Sequence, residues 1–215
     1  KATGASYEES LMAVARVLGI ELEEIDYWNC CGATAYFSVR EKLAMAISAR
    51  NLALAETQGK DIVAPCSACY LGLAKANKYL KEFPETREIV CGALKAAGLE
   101  YNWTVEVKHA VEIFVQEPML SQVKAAVKHP LTGLRVAGYV GCQMVRPYGF
   151  DDAEYPVALD TITTALGATP VPYPMAARCC GGSQIMTNEE VALRMSKNVL
   201  LAAEKAGADC IITTC

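Results

Sequence analysis

Arg178-Cys179-Cys180-Gly181-Gly182, with a further cysteine at 215, restates a run met earlier in the chain as Asn29-Cys30-Cys31-Gly32 with Cys66. In both places the later cysteine stands 35 positions after the second member of the pair, and the copies are offset by 149 residues. The match reaches beyond cysteine, since Ile62-Val63 falls on Ile211-Ile212 and Leu52-Ala53 on Leu201-Ala202. A repeat of this length makes the chain two versions of one folding unit, and it has to be found before any fold is assigned.

Working outward from the second pair, residues 134–140 read as a short apolar strand ending at Gly141-Cys142, and 157–166 as a helix closed by Gly167. Residues 168–171 form a strand leading to Cys179-Cys180. A helix over 189–206 carries Val191, Met195, Val199 and Leu200 on one side, Gly207 ends it, and the strand Ile211-Ile212 delivers Cys215. The first copy follows suit, with a helix over 7–18, a strand over 21–25, a helix over 39–56 and a strand over 62–64, and lacks only the opening strand. Alternating helices and strands predict an α/β fold of two repeated domains, each a small, mostly parallel sheet flanked by helices. The expected domains are 1–83 and 131–215, joined by a helical connector over 84–130 with Pro84, Pro118 and Pro130 as breakers. Ligands of open α/β sheets collect beyond the carboxyl ends of the strands, where Cys66, Cys142 and Cys215 fall.

Composition narrows the partners. The 215 residues carry a net charge of −4, which offers no basic field for nucleic acid. Apolar runs such as Ile47 to Ala55 fall well short of the roughly 20 residues that span a bilayer. Ten cysteines with no secretory leader point to a cytoplasmic protein whose thiols serve metal or redox chemistry. Lys1 and Cys215 as end residues read as the ends of a fragment.

Cys66-Ser67-Ala68-Cys69 is a CxxC whose second cysteine falls one turn into a helix, a spacing shared by thioredoxin-like redox pairs and half zinc sites. Adjacent cysteines suit neither use well, because a disulfide between neighbours closes a strained ring and one tetrahedral ion rarely needs both. They suit metal atoms lying side by side. Histidine adds nothing for zinc, since only His109 and His129 exist and both lie in the connector, so the pairs and the repeat favour iron–sulfur over zinc. Cys91 and Cys210 lie outside the repeated positions and read as small buried hydrophobes. No GxGxxG or Walker sequence is present, and no ferredoxin-type CxxCxxC, so flavin and nucleotide are not expected here and electrons must come from another polypeptide.

Trp28-Asn29-Cys30-Cys31-Gly32-Ala33, Gly141-Cys142-Gln143-Met144-Val145-Arg146-Pro147 and Arg178-Cys179-Cys180-Gly181-Gly182 resemble the cysteine-rich CCG domains found in the B-type subunit of heterodisulfide reductase. The resemblance covers essentially the whole chain and is weakest in the connector. It implies two noncubane 4Fe-4S clusters facing each other across a substrate disulfide. Cys30, Cys31, Cys66 and Cys69 would hold one; Cys142, Cys179, Cys180 and Cys215 the other. It also implies further ligand cysteines a few residues upstream of Lys1 and three positions beyond Cys215. Gly32, Gly181 and Gly182 would let backbone approach the clusters, and Arg146 and Arg178 would pair with an anionic group of the substrate such as a sulfonate or phosphate. The implied activity is reduction of a low-molecular-weight disulfide, in methanogens that of coenzyme M and coenzyme B. Its implied partners within a heterodisulfide reductase complex are a ferredoxin-like iron–sulfur subunit of the C type and a flavin subunit of the A type. Related CCG domains in lactate, glycolate and glycerol-3-phosphate oxidoreductases give the alternative, an electron relay, and a colourless zinc-stabilised binding module is a third possibility.

Overall fold

The computed structural model describes residues 5–31 and 33–214. In chain order its elements are α1 (Ala5–Val17), α2 (Ala33–Val39), α3 (Glu41–Thr57), β1 (Ile62–Ala64), α4 (Ser67–Glu82), α5 (Pro84–Ala96) and β2 (Val107–His109). After these come α6 (Ala110–Val115), α7 (Met119–Ala126), β3 (Arg135–Tyr139), α8 (Ala158–Ala165), β4 (Thr169–Pro170), a 3-10 turn (Gly182–Gln184), α9 (Glu189–Lys205) and β5 (Cys210–Thr213). The strands make two small parallel sheets flanked by helices, as the alternation of the sequence predicts. In the second copy β3 is central, with Arg135 beside Thr169 of β4 and Val136 to Tyr139 beside Cys210 to Thr213 of β5. In the first, β1 pairs with β2, Ile62 against Val107 and Ala64 against His109.

Several boundaries differ from expectation for physical reasons. Residues 21–25 are not a strand. Their counterpart β4 exists by bonding to β3, and among the described residues the first copy has no counterpart of β3 to bond to. The helix expected over 39–56 starts at Glu41, because Arg40 is non-helical (φ −143°, ψ 70°) and Val39 closes the separate α2. The connector is not purely helical, since β2 comes from it and completes the first sheet. Pro84 opens α5, where a missing N–H costs nothing. Gly167 and Gly207 take left-handed φ of +82° and +87° and end α8 and α9.

The larger core gathers around α3, whose Met45, Ala49, Leu52 and Ala53 pack with Leu73, Ala76 and Leu80 of α4 and with Val90 and Leu94 of α5. The second core is smaller and joins Val140, Met144 and Val145, beyond β3, to Ala158 and Leu159 of α8, while Phe150 packs against both cores. Among the described residues no helix is long and apolar enough to cross a membrane.

Candidate metal centres

β1 ends at Ala64, and two residues later Cys66 caps the N-terminus of α4 in extended conformation (φ −89°, ψ 124°). Cys69 therefore sits in the first turn of α4, as the CxxC spacing predicts. Cys31 arrives from the other side, fully buried, with its Sγ 3.3 Å from that of Cys69. Two features border that approach. Gly72 of α4 lies beside it, where a Cβ would meet the Cβ of Cys31 at an ordinary contact distance of 3.5 Å. The backbone ahead of Cys30 is held by α3: Asn29 N donates to Asn51 Oδ1 at 3.1 Å, Asn51 Nδ2 donates to Asn29 O at 2.7 Å, and Arg50 donates to Tyr27 O and Asn29 Oδ1, both at 2.7 Å. Cys30 is exposed beside Cys31.

The three sulfurs of Cys31, Cys66 and Cys69 act on one another. The Cys69 thiol donates to Cys66, which together with the Cys69 and Ala68 backbone amides favours the Cys66 thiolate and lowers its pKa to about 6. Cys69 is driven the opposite way, because its proton is shared with the Cys31 and Cys66 sulfurs. The helix N-terminus favours the Cys66 anion, and the thiolate is the form of cysteine that binds metal.

The second group is built on turns. β3 runs out at Tyr139, Gly141 donates to Ala176 O at 2.9 Å, and Cys142 follows, half-buried. Its thiol is pushed up to about 11 by burial and then by the neighbouring Cys179, with Cys180 adding to the effect. The Cys179-Cys180 loop points its own amides at its sulfurs: Gly181 N donates to Cys179 Sγ and Gly182 N to Cys180 Sγ, each at 3.3 Å. Ser196 of α9 donates to Cys180 O at 2.9 Å.

The cysteine loops of the two copies meet at Ser67 and Thr214. Ser67, buried inside the CxxC, lies 3.1 Å from Thr214 Oγ1, and that hydroxyl donates to Met144 Sδ at 2.8 Å. Thr214 precedes Cys215 as Pro65 precedes Cys66, so equivalent loops of the two repeats touch.

The structure thus gathers Cys31, Cys66 and Cys69 into one group and Cys142, Cys179 and Cys180 into another; Cys215 and Gly32 lie outside the described residues. Gly181 (φ +81°) is demanded by packing, since a Cβ would come within 2.9 Å of Ala192 Cα in α9, whereas a Cβ on Gly182 would face Cys180 Sγ at 3.4 Å. Arg146 is engaged, donating to Ala177 O at 3.1 Å and pairing with Glu154, while Arg178 is exposed beside Cys179. Cys210 is exposed on β5 and not a buried hydrophobe, and Cys91 is half-buried on α5. His109 is buried as a helix cap, its Nδ1 accepting from Val111 N at 3.1 Å. Asn51, Ser67 and Tyr139 were not singled out by the sequence; a polar Arg50-Asn51 within the apolar run of α3 is the signal that marked one of them.

Among the described residues no three His, Cys, Asp or Glu side chains converge on one point tightly enough to hold a single metal ion. The donor set is all sulfur, in two groups, with backbone N–H groups turned toward sulfur. Thiolate donors of that kind fit a multi-iron sulfide cluster, which takes its protein ligands at separate irons, better than one tetrahedral ion with donors at about 2.3 Å.

Two repeated α/β units, each presenting cysteines beyond the carboxyl ends of parallel strands, define a class of duplicated cysteine-rich domain proteins. The chain belongs to the CCG cysteine-rich domain family, whose model matches residues 2–74 and 136–215. It is 34% identical over 211 residues to the 8-methylmenaquinol:fumarate reductase membrane anchor subunit of Wolinella succinogenes, covering 97% of this chain and 73% of that one. It is 32% identical to the B-type subunit of the ferredoxin/F(420)H(2)-dependent CoB-CoM heterodisulfide reductase of Methanosarcina acetivorans, covering 97% and 71%. A protein of Archaeoglobus profundus named as similar to the B-type subunit of heterodisulfide reductase is 30% identical, with 97% and 72% covered. A crystal structure of a hypothetical protein from Helicobacter pylori shares the fold with a TM-score of 0.70 at 18% identity, over 95% of this chain and 38% of that one.

Proposed function

We propose that this chain is the iron–sulfur subunit of a heterodisulfide reductase complex on which a low-molecular-weight disulfide is cleaved, the mixed disulfide of coenzymes M and B or a similar one. The observation that carries the reading is the pair of three-thiol groups on loops joined through Ser67 and Thr214. Cys30, Cys31, Cys66 and Cys69 hold one noncubane 4Fe-4S cluster, and Cys142, Cys179, Cys180 and Cys215 the other. When bound, the clusters supply electrons one at a time and iron sites with affinity for thiolate sulfur.

The reaction RS–SR′ + 2 e− + 2 H+ → RSH + R′SH needs two electrons, and one acceptor site for each departing sulfur keeps a free thiyl radical from forming. The chain's own residues set that stage. Cys66 sits at the α4 N-terminus, where its anion is favoured. The Gly181 and Gly182 amides stabilise negative charge on Cys179 and Cys180. Ser67, buried and bonded across the copies, fixes their spacing. The exposed guanidinium of Arg178 is placed to meet an anionic tail of the substrate, whereas Arg146 ties the Cys142 loop to the turn before Cys179. The electron donors are the ferredoxin-like and flavin subunits of the same cytoplasmic complex.

A second reading, a relay that passes electrons without cleaving a disulfide, is favoured by one relative whose name carries a quinol and fumarate. The purified complex, reduced and mixed with the coenzyme M–coenzyme B disulfide, distinguishes them. Release of both thiols, with iron and acid-labile sulfide in the protein, is the expected result. Iron and sulfide without thiol release would leave the relay, and protein with neither would remove both.

A further inference from the structure

Asn29 stands just ahead of Cys30-Cys31 as Arg178 stands ahead of Cys179-Cys180, at the repeat offset of 149. Both carbonyls are held, but by donors that the repeat does not share. The Asn29 carbonyl accepts from Asn51 Nδ2 of α3, and that of Arg178 from the hydroxyl of Tyr139 at the end of β3, each at 2.7 Å. Asn51 has Leu200 as its repeat counterpart, an apolar residue 59% exposed, so the second copy cannot hold its loop as the first does. In the first copy the hold is also more extensive. Asn51, 5% exposed, accepts from Asn29 N at 3.1 Å, so one side-chain amide binds both backbone polar groups of Asn29. Arg50 donates to Asn29 Oδ1 at 2.7 Å, and Nδ2 of the same Asn29 donates to the Cys30 carbonyl at 2.9 Å. A guanidinium only donates and a backbone carbonyl only accepts, so each side-chain amide has one possible orientation. The peptide between Asn29 and Cys30 is planar and trans, so an oxygen drawn toward α3 turns the Cys30 N–H away from it. The chain leaves this hold with Cys30 exposed and Cys31 buried, the latter with its sulfur against Cys69.

We propose that Asn51, supported by Arg50, is a positioning residue of the first thiol group, which fixes the peptide ahead of Cys30 so that one of the adjacent sulfurs stays at the surface and the other stays turned in toward Cys69. This role rests on the iron–sulfur reading. Adjacent cysteines share a short, flexible stretch of backbone, and a rotation of the peptide ahead of them would move both sulfurs together. Side chains that do not touch a metal but orient its ligands typically change its affinity by about 10- to 100-fold when they are removed. Asn51 holds two backbone groups while being buried itself, so its loss leaves both of them without the partner that sets the loop. Because the second copy is held from β3 and not from its equivalent helix, the effect belongs to the first group alone.

The test is electron paramagnetic resonance, with a redox titration, of the full-length protein in its complex, and a urea unfolding series alongside. Asn51→Leu places the residue of the second copy in the first. It should alter the line shape and midpoint potential of one iron–sulfur signal, the one that Cys69→Ala abolishes, or remove that signal, and leave the other as in wild type. Arg50→Met keeps Asn51 and removes the bonds to Tyr27 O and Asn29 Oδ1. It should disturb the same signal to a smaller degree, and it carries the test if Asn51→Leu does not fold. Equal changes in both signals, a change confined to the other signal, or two unaltered signals whatever the urea midpoint would reduce Asn51 to a residue of the core and leave the iron–sulfur reading intact. Wild-type protein without iron and sulfide would overturn both.

Discussion

Helices α3 and α9 hold the same place in the two repeats, and Leu52 of one corresponds to Leu201 of the other, yet Leu52 is fully buried and Leu201 is 36% exposed. The local pattern is shared; what covers it is not. In the first copy α4, α5 and the connector strand β2 close over α3 and the sheet, so even Ser48 and Asn51 are buried. Among the described residues the second copy has no such cover, and Leu193 and Leu200 of α9 stand open at 57% and 59% exposure. A duplicated sequence therefore sets the same strand, turn and cysteine loop twice, while stability comes unequally from what is added around each copy.

The sharpest break of this comparison is at the thiols. If both copies serve alike despite unequal cores, Cys69→Ala and Cys142→Ala should each reduce iron per chain by about half and each take disulfide cleavage to background. Iron analysis and thiol release measure this. Loss of iron on one side only would make the copies functionally unequal as well.

Next in size is the core itself. Leu52→Ala removes a side chain with no exposure and should cost about 3 kcal/mol in a urea unfolding series, whereas Leu201→Ala should cost about 1 kcal/mol or less. Equal losses would mean that α9 is covered in the working protein by a partner in the assay.

Much of this was readable from the residues. Strand β1, the placement of Cys66 at a helix start and the glycine stops after α8 and α9 follow from local rules, and the structure places them as read. What escaped was non-local. Residues 21–25 follow the strand position of the second copy but have no strand to bond among the described residues, and β2 is three residues of a connector that become a strand only because β1 lies alongside. Leu200 carries the helical period of α9, but the helix buries Ala192, Val199 and Ala203 instead, a small-residue face that sits close against its neighbours. At the site the cysteines announced themselves by spacing. Tyr139 did not, because a hydrogen bond to a distant carbonyl has no signature in the donor's own neighbourhood.

His109 lies where the copies meet, its ring stacked on Phe150 (centroids 6.1 Å apart, planes at 17°) and edge-on to Tyr70. Burial lowers its pKa to about 4, and its Nε2 lies toward the Pro65 carbonyl without a hydrogen bond in good geometry. The unfolded chain protonates this residue near pH 6.5, so below that pH it binds more protons than the folded one. The stabilisation is complete above about 6.5 and is lost as pH falls toward 4. Burial raises Glu112, whose carboxylate accepts from His109 N, so it works in the opposite sense, and Lys108 lies near it. Between pH 7 and 5 the His109 part should amount to about 2 kcal/mol. Urea midpoints should show that loss in wild type and a flatter profile in His109→Asn, which keeps a capping acceptor. An unchanged slope in the variant would place the pH dependence elsewhere.

The smallest effect tests the joint between the copies most directly. Ser67→Ala removes a buried hydroxyl from Thr214, but Thr214 Oγ1 keeps Met144 Sδ as a partner, so the loss should be only about 1 kcal/mol. Thr214→Val should cost a similar amount. Because the two hydroxyls bond to each other, while Ser67 also donates to the Thr214 carbonyl at 3.3 Å, the double variant should cost less than the sum of the two single losses, a non-additivity that a double-mutant cycle measures as coupling. Additive losses would mean that each hydroxyl is held separately, and the touching loops would then be neighbours without being a bridge.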